Sequence, residues 1–496
     1  MILRLRRSIF LVLALWGVTA ASAGAATVRP MLASSPFAPL AGPSVPCLNG
    51  PGIPCYLPSE LRQAYDFPAG PDAPDGAGQT IVVVTGYGAP FVADDVQTFG
   101  MLTGVSAPPN LTVYSQQTPV ADAQGSGQTY FWQVETDLDV EWAYAMAPRA
   151  HVVLAVANSD DTHDIAQVMR EVLPRYPGAI VTQSFGMDET GPTSDPALVE
   201  TFSPMYLDVL RRGGTVLAAS GDLGASNGTE LEAHMFPTLG IEPSPMAAYP
   251  ASDPLVLAVG GTEGNPYPDG LLSDAGTYGA EQAWNEAVLG GAAAGGGAPS
   301  VVFDAPPWQR SLHTSSRLEP DVSYNAALVG GALVIVSCRP NAADHGVTLD
   351  PTCVDPSRQG YISVGGTSAG TPQWAAVVAL ADQVRASRLR PPLGLLSPLL
   401  YDLARDRRSY ARDFHDVIVG DNRLDLTAFG APSPSPFAFA AAPGYDLATG
   451  LGTPDVANLL RDLAVRDSGE IPGNVAHGPR AGKGGSGKHH RFDPSK

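Results

Sequence analysis

A serine before a helical run, two acids four residues apart and an aspartate between glycines are the side chains here best placed for chemistry. Ser368 stands in Gly366-Thr367-Ser368-Ala369-Gly370-Thr371-Pro372, and the apolar run Gln373 to Leu380 follows at once. Small residues admit another backbone closely, and a serine opening a helix has free main-chain N–H groups beside its hydroxyl. That suits a nucleophile whose oxyanion is held by main-chain donors. An N-cap is the competing use of such a serine.

A serine nucleophile needs a base. Histidine fails as the candidate: His151, His163, His234, His313 and His415 lie in unrelated contexts, and His345 falls between two cysteines. No Asp-Thr-Gly or His-Gly-Thr segment stands upstream to complete a triad in the order Asp, His, Ser. Carboxylates are the alternative. Glu135-Thr136-Asp137-Leu138-Asp139 puts Glu135 and Asp139 on one helix face, where two carboxyls in contact share a proton. Such a pair can take the serine proton and return it to a leaving amine. Spacing alone favours a solvated acidic face, and Asp137 with Glu141 repeats the same interval. Asp222, in Ser220-Gly221-Asp222-Leu223-Gly224, follows an apolar strand. An aspartate kept protonated there could donate to an oxyanion, although strand-to-turn aspartates are common.

The elements that must position these residues alternate. Apolar strands are expected at Thr80–Thr85, His151–Val156, Ala179–Thr182, Thr215–Ala219 and Leu255–Val259. Helical patterns cover Gln133–Ala147, His163–Leu173 and Pro196–Arg212, the last with proline in its first turn. Near-continuous apolar strands separated by helices imply an α/β fold, a mostly parallel sheet covered by helices on both faces. The glycine-alanine tract Gly290 to Gly297 reads as a loop that is either flexible or pressed against another backbone.

Hydrophobic residues make up 44% of the 496, enough for a large core, and the formal net charge is −20. With no basic stripe, nucleic acid is excluded as a partner of the body. An acidic balance is compatible with work at low pH. Residues 1–25 read as a signal peptide: Arg4, Arg6 and Arg7 precede an apolar run too short to anchor the chain, and small-x-small cleavage sites follow. Export follows, to the exterior or the periplasm, with no stable membrane anchor. Residues 26–58 form a proline-rich arm, 59–465 the folded body, and 466–496 a basic disordered tail. Cys47–Cys55 and Cys338–Cys353 are the expected disulfides among three connectivities, and zinc fits the spacings poorly.

Glu-x-x-Leu-Asp at 135–139, Ser-Gly-Asp-x-Gly at 220–224 and Gly-Thr-Ser-Ala-x-x-Pro at 366–372 together resemble the sedolisin family of serine-carboxyl peptidases. Ser184-Phe185-Gly186, Val259-Gly260-Gly261-Thr262 and Glu319-Pro320-Asp321-Val322-Ser323 extend the likeness over residues 54 to 465. The resemblance implies a subtilisin-like fold. It implies Ser368 as nucleophile, Glu135 as general base, Asp139 orienting it, and protonated Asp222 in the oxyanion hole. The register of Leu138 leaves Asp137 and Glu141 as face residues. A structural calcium ion is implied, held by Asp416 and Asp446 and by the main-chain carbonyls of Val417, Ala442 and Gly444.

Departures from the pattern matter too. Ala442 replaces a common glycine, Thr85-Gly86 stands where many relatives carry an acid, and Gly370 is a milder variation. Only about 30 residues separate the expected signal cleavage from the body, too few for the folded propeptide common in that family. The expected activity is therefore that of a secreted, acid-active, monomeric endopeptidase acting on proteins or peptides through an acyl-serine. A non-catalytic peptide-binding protein and a tripeptidyl-peptidase are the alternatives.

Overall fold

The computed structural model describes residues 26–471, except 36, 41–46, 48–53, 106, 116–128, 265–269, 274–275, 290–291, 338–358, 428–429, 468 and 470, together with Val12–Leu13. Most of the expected signal segment, the expected Cys338–Cys353 pair and the tail beyond Ile471 lie outside the described residues.

Seven strands line up in one sheet and an eighth pairs beside them. In chain order they are β1 Thr80–Gly86, β2 Leu111–Ser115, β3 His151–Ala157, β4 Ile180–Gln183, β5 Thr215–Ala219, β6 Leu257–Glu263, β7 Gln282–Ala283 and β8 Val322–Asn325. The spatial order is β7-β6-β5-β4-β1-β3-β2, with β8 also on β6, and every pairing is parallel except β6 with β7. Ile81 to Gly86 are buried at each position, as a strand is when helices cover both faces. Those helices are α1 Thr129–Met146 and α4 Thr367–Ser387, which pack on each other and on the sheet, and α2 Thr162–Val172 and α3 Ala197–Arg211.

The expected strands and helices are present, with two instructive differences. The strand expected at Leu255–Val259 begins at Leu257 and runs on through Gly260-Gly261. A Cβ at Gly260 would stand 2.6 Å from Pro320 Cγ and from Ser323 Oγ, so the glycine is what admits β8 alongside. Strands β2 and β8 escape the sequence pattern because Leu111–Ser115 is half exposed and Val322–Asn325 carries two polar residues.

Helix α1 requires a correction. No face of it is solvated: Asp137 and Glu141 are as buried as Glu135 and Asp139. Their carboxyls lie with buried Asp95 beneath a second, antiparallel ladder of β9 Gly331–Val336 and β10 Gly360–Gly365. The Ile335 N–H donates to Glu141 (3.1 Å), and Ser337 donates to Asp95 through its N–H and hydroxyl (3.0 and 2.6 Å). Burial pushes the Asp95 carboxyl up to about 7 and those of Asp137 and Glu141 well above their ordinary range. The indole N–H groups of Trp142 and Trp374 donate to the carbonyls of Leu333 and Ser323 (2.8 and 3.0 Å), so neither buried ring strands its polar atom.

Residues 26 to 40 do not join the main sheet. Ala33–Ser34 and Ala38–Pro39 pair antiparallel with β10, and Arg29–Pro30 with Phe185–Gly186. Cys55–Tyr56 runs parallel to Gly331–Ala332, and a disulfide joins Cys55 to Cys47.

Candidate active site

Three strand ends and one helix meet at a single place. Strand β4 delivers Ser184, β5 delivers Asp222, and β10 runs through Gly366 into α4, whose second residue is Ser368. Helix α1 crosses beside them with Glu135 and Asp139. All four expected catalytic residues converge there.

The Ser368 hydroxyl donates to Glu135 Oε2 at 2.9 Å and lies 3.0 Å from the Ser184 carbonyl. Glu135 and Asp139 are fully buried, and each keeps one carboxyl oxygen that no other side chain bonds, Oε1 and Oδ2 respectively. Burial, and for Glu135 also the charge of Asp139, push both carboxyls well above their ordinary range. The Ser184 hydroxyl donates to Asp139 Oδ1 at 2.6 Å, favouring its ionised form. A buried pair of this kind shares a proton between its members.

Asp222 is asymmetric. Its Oδ1 accepts from the Thr367 N–H (2.9 Å) and hydroxyl (2.8 Å), while Oδ2 is buried without a partner. Burial pushes the carboxyl up to about 7, against the pull of the Thr367 bonds and the Arg29 charge. A Cβ on Gly366, whose φ is +115°, would stand 2.5 Å from Asp222 Oδ2. Glycine is thus required where the loop passes the free oxygen. The tract after Ala292 is pressed against the Asp222 loop, the Gly296 N–H reaching the Gly221 carbonyl at 2.6 Å and the Ala294 N–H that of Asp222 at 3.0 Å.

Ser184 and Thr367 were visible only as members of matching motifs. Nothing in their spacing distinguishes a serine that steadies Asp139, or a threonine that fixes one oxygen of Asp222, from an ordinary loop hydroxyl.

Of the expected calcium residues, Asp416, Ala442, Gly444 and Asp446 come together. The Gly444 N–H donates to both oxygens of Asp416 (3.1 and 3.0 Å), and Asp446 accepts from the N–H groups of Ala442, Ala448 and Thr449 (2.9, 2.8 and 2.8 Å). The Tyr410 hydroxyl, 2.9 Å from Asp416 Oδ1, senses the charge of both acids. Burial pushes Asp446 up to about 6, against the pull of the N–H groups of Ala442, Ala448 and Thr449. Two carboxylates brought to one turn, Asp446 within it and Asp416 bonded to the Gly444 N–H, are of the donor type that suits a hard cation. Among the described residues no group of three or more His, Cys, Asp or Glu gathers in this way, so the carbonyls would have to complete the shell.

The profile of the Subtilase family matches residues 144–394, which include Asp222 and Ser368 and begin just after the acidic pair. Over 420 residues the chain is 31% identical to kumamolisin of Bacillus sp. (strain MN-32), covering 82% of this chain and 63% of kumamolisin. It is 29% identical over 422 residues to tripeptidyl-peptidase 1 of Mus musculus, covering 82% and 64%. The chain thus spans just under two thirds of the length of these relatives. A solved structure of Pseudomonas sedolisin, a serine-carboxyl proteinase complexed with two molecules of pseudo-iodotyrostatin, matches in fold with a TM-score of 0.63. That match is at 23% identity and covers 82% of this chain and 98% of that one.

Proposed function

The chain belongs to the subtilase family, and within it to the sedolisins, and from that membership we propose a secreted, acid-active serine-carboxyl endopeptidase. The observation that carries the reading is the 2.9 Å bond from the Ser368 hydroxyl to Glu135, itself half of a buried acid pair. No histidine is needed there.

In this reading Glu135 takes the proton as Ser368 Oγ attacks a peptide carbonyl, and Asp139 takes up part of the charge change. The Ser368 N–H and the free oxygen of protonated Asp222 bind the oxyanion. Glu135 then returns the proton to the departing amine, and water hydrolyses the acyl-serine by the same path reversed. Asp222 must be protonated to donate, so activity falls as pH rises through about 7. It also falls at low pH, when the acid pair becomes fully protonated. A calcium ion would be held by Asp416, Asp446 and the carbonyls of Val417, Ala442 and Gly444, where it would supply a structural cross-link.

The test is cleavage of end-capped, quenched peptides from acid to neutral pH. The expected result is acid-peaked cleavage that Ser368→Ala lowers by at least about 10³-fold. Cleavage of uncapped peptides alone, with release of tripeptides, would replace the endopeptidase by the mode in the name of the tripeptidyl-peptidase relative. A folded protein that cuts neither kind would shift the weight to the peptide-binding alternative.

A further inference from the structure

One cation is seated among acids close to the nucleophile. Residues 28 to 31 run along the cleft as an extended peptide would. Val28 N–H donates to the Asp160 carbonyl (2.9 Å), Arg29–Pro30 pair antiparallel with Phe185–Gly186, and Met31 N–H donates to the Ser184 carbonyl (3.2 Å). The Ser368 N–H donates to the Met31 carbonyl at 3.1 Å, which fixes the register. Met31 stands where the residue before a scissile bond would stand, and Arg29 stands two positions nearer the amino terminus. Position by position, the segment marks the walls that substrate side chains would meet.

The wall that meets Arg29 suits a cation. One guanidinium nitrogen donates to the Asn227 carbonyl at 2.9 Å, and the other terminal nitrogen lies 3.9 Å from Glu232 Oε1. Glu232 stands on the short helix Thr229–Met235, which follows Asn227 and Gly228 directly. A Cβ at Gly228 would stand 2.8 Å from a guanidinium nitrogen and 3.1 Å from Leu223 Cδ1, so glycine leaves the space that the planar group fills. Buried Asp188, at the end of the strand Phe185–Asp188, sets a second negative charge against Glu232, and the Arg29 charge works the other way. A guanidinium serves such a seat well, because its fork bonds the carbonyl with one nitrogen and faces the acid with another; an ammonium is a single point of charge. The net charge of −20 draws cationic peptides in the same sense.

We propose that Glu232 and the Asn227 carbonyl form a subsite that selects protein substrates with a basic residue, arginine foremost, two positions before the bond to be cut. This selection presupposes the peptidase reading above. Glu232 lies away from the reacting atoms and acts on the choice of peptide. An arginine satisfies both the carbonyl and the acid. A neutral side chain leaves Glu232 and Asp188 uncompensated, and an acidic one adds a third charge of the same sign.

Full-length protein is assayed with end-capped, quenched peptides that share a methionine before the cleaved bond. They differ only two residues earlier, where they carry arginine, its neutral isostere citrulline, or glutamate. The least acid pH that still supports turnover is used, because burial raises the Glu232 carboxyl. The expected kcat/KM for the arginine peptide exceeds that for citrulline by about 5- to 10-fold, with glutamate lower still. Glu232→Gln should cut that ratio by at least about threefold. Glu232→Lys should make glutamate the better of the two charged peptides. Cleavage that ignores this residue, or an arginine preference that both variants retain, overturns the subsite and leaves the peptidase standing. If no peptide is cut, the peptidase reading falls, and hydrogen exchange in Ser368→Ala decides the cation seat alone. Adding Glu232→Lys there should speed exchange of the Val28 and Met31 amides by at least about threefold, and unchanged rates overturn the seat.

Discussion

Asp222 keeps its two carboxyl oxygens in unlike company: Thr367 bonds one twice and the other is bare. An asparagine can reproduce that arrangement, with its carbonyl facing Thr367 and its amide taking the place of the bare oxygen. Its donor does not titrate. Asp222→Asn should therefore flatten the fall in kcat/KM expected of the wild type through about pH 7, and leave the acid limb that the proposal assigns to Glu135 and Asp139. A profile unmoved in shape and position would remove Asp222 from the proposed oxyanion hole. The residue scale also explains why matching motifs outperform spacing. Glu135 with Asp139 and Asp137 with Glu141 are the same interval on one helix, and only the first pair faces a serine.

At the scale of elements, strand β8 is docked through charge. Arg317 reaches both oxygens of Asp321 (2.8 and 2.6 Å), both residues fully buried, and Asp321 also accepts from the Tyr401 hydroxyl (3.0 Å) and the Ala258 N–H (2.9 Å). Removing one partner strands the other charge, so Arg317→Met should cost about 3–5 kcal/mol in denaturant unfolding. The Ala258 and Asp321 bonds tie β6 to β8, so the loss should be accompanied by weakened protection of Val322–Asn325 in hydrogen exchange. A cost below about 1 kcal/mol would mean that packing alone holds the strand.

For the whole molecule, pH enters through buried acids as well as through catalysis. Asp95, Asp137 and Glu141 all have folded pKa values raised by burial above those of the unfolded chain. Raised acids contribute stability that is whole below the ordinary carboxylate pKa and is lost as pH rises through the folded value. The melting temperature of Ser368→Ala, which cannot digest itself, should thus fall between pH 4 and pH 8. Asp137→Asn in that background should flatten the slope, and a parallel slope would exclude the cluster. Calcium belongs to this scale too. A chelator should lower the melting temperature of the same protein, and Asp416→Asn should abolish the difference. An unchanged melting temperature at a pH where Asp446 is ionised would remove the ion from the proposal.

The sequence by itself determined the strand-and-helix alternation and the types and order of the site residues. Apolar periodicity and glycine-bounded motifs are local properties that each segment carries wherever it lies. It left Asp137 and Glu141 on an imagined wet face, because four-residue spacing states which residues share a side but not what covers it. The half-exposed β2 and the polar β8 were illegible for the same reason. Residues 26 to 40 read as a small-residue arm, since nothing local in Arg29-Pro30-Met31-Leu32 marks a segment that lies along the active-site serine. Only the tertiary structure decides that, by bringing the Ser184 carbonyl, the Ser368 N–H and the Val364–Gly365 edge to this stretch of backbone.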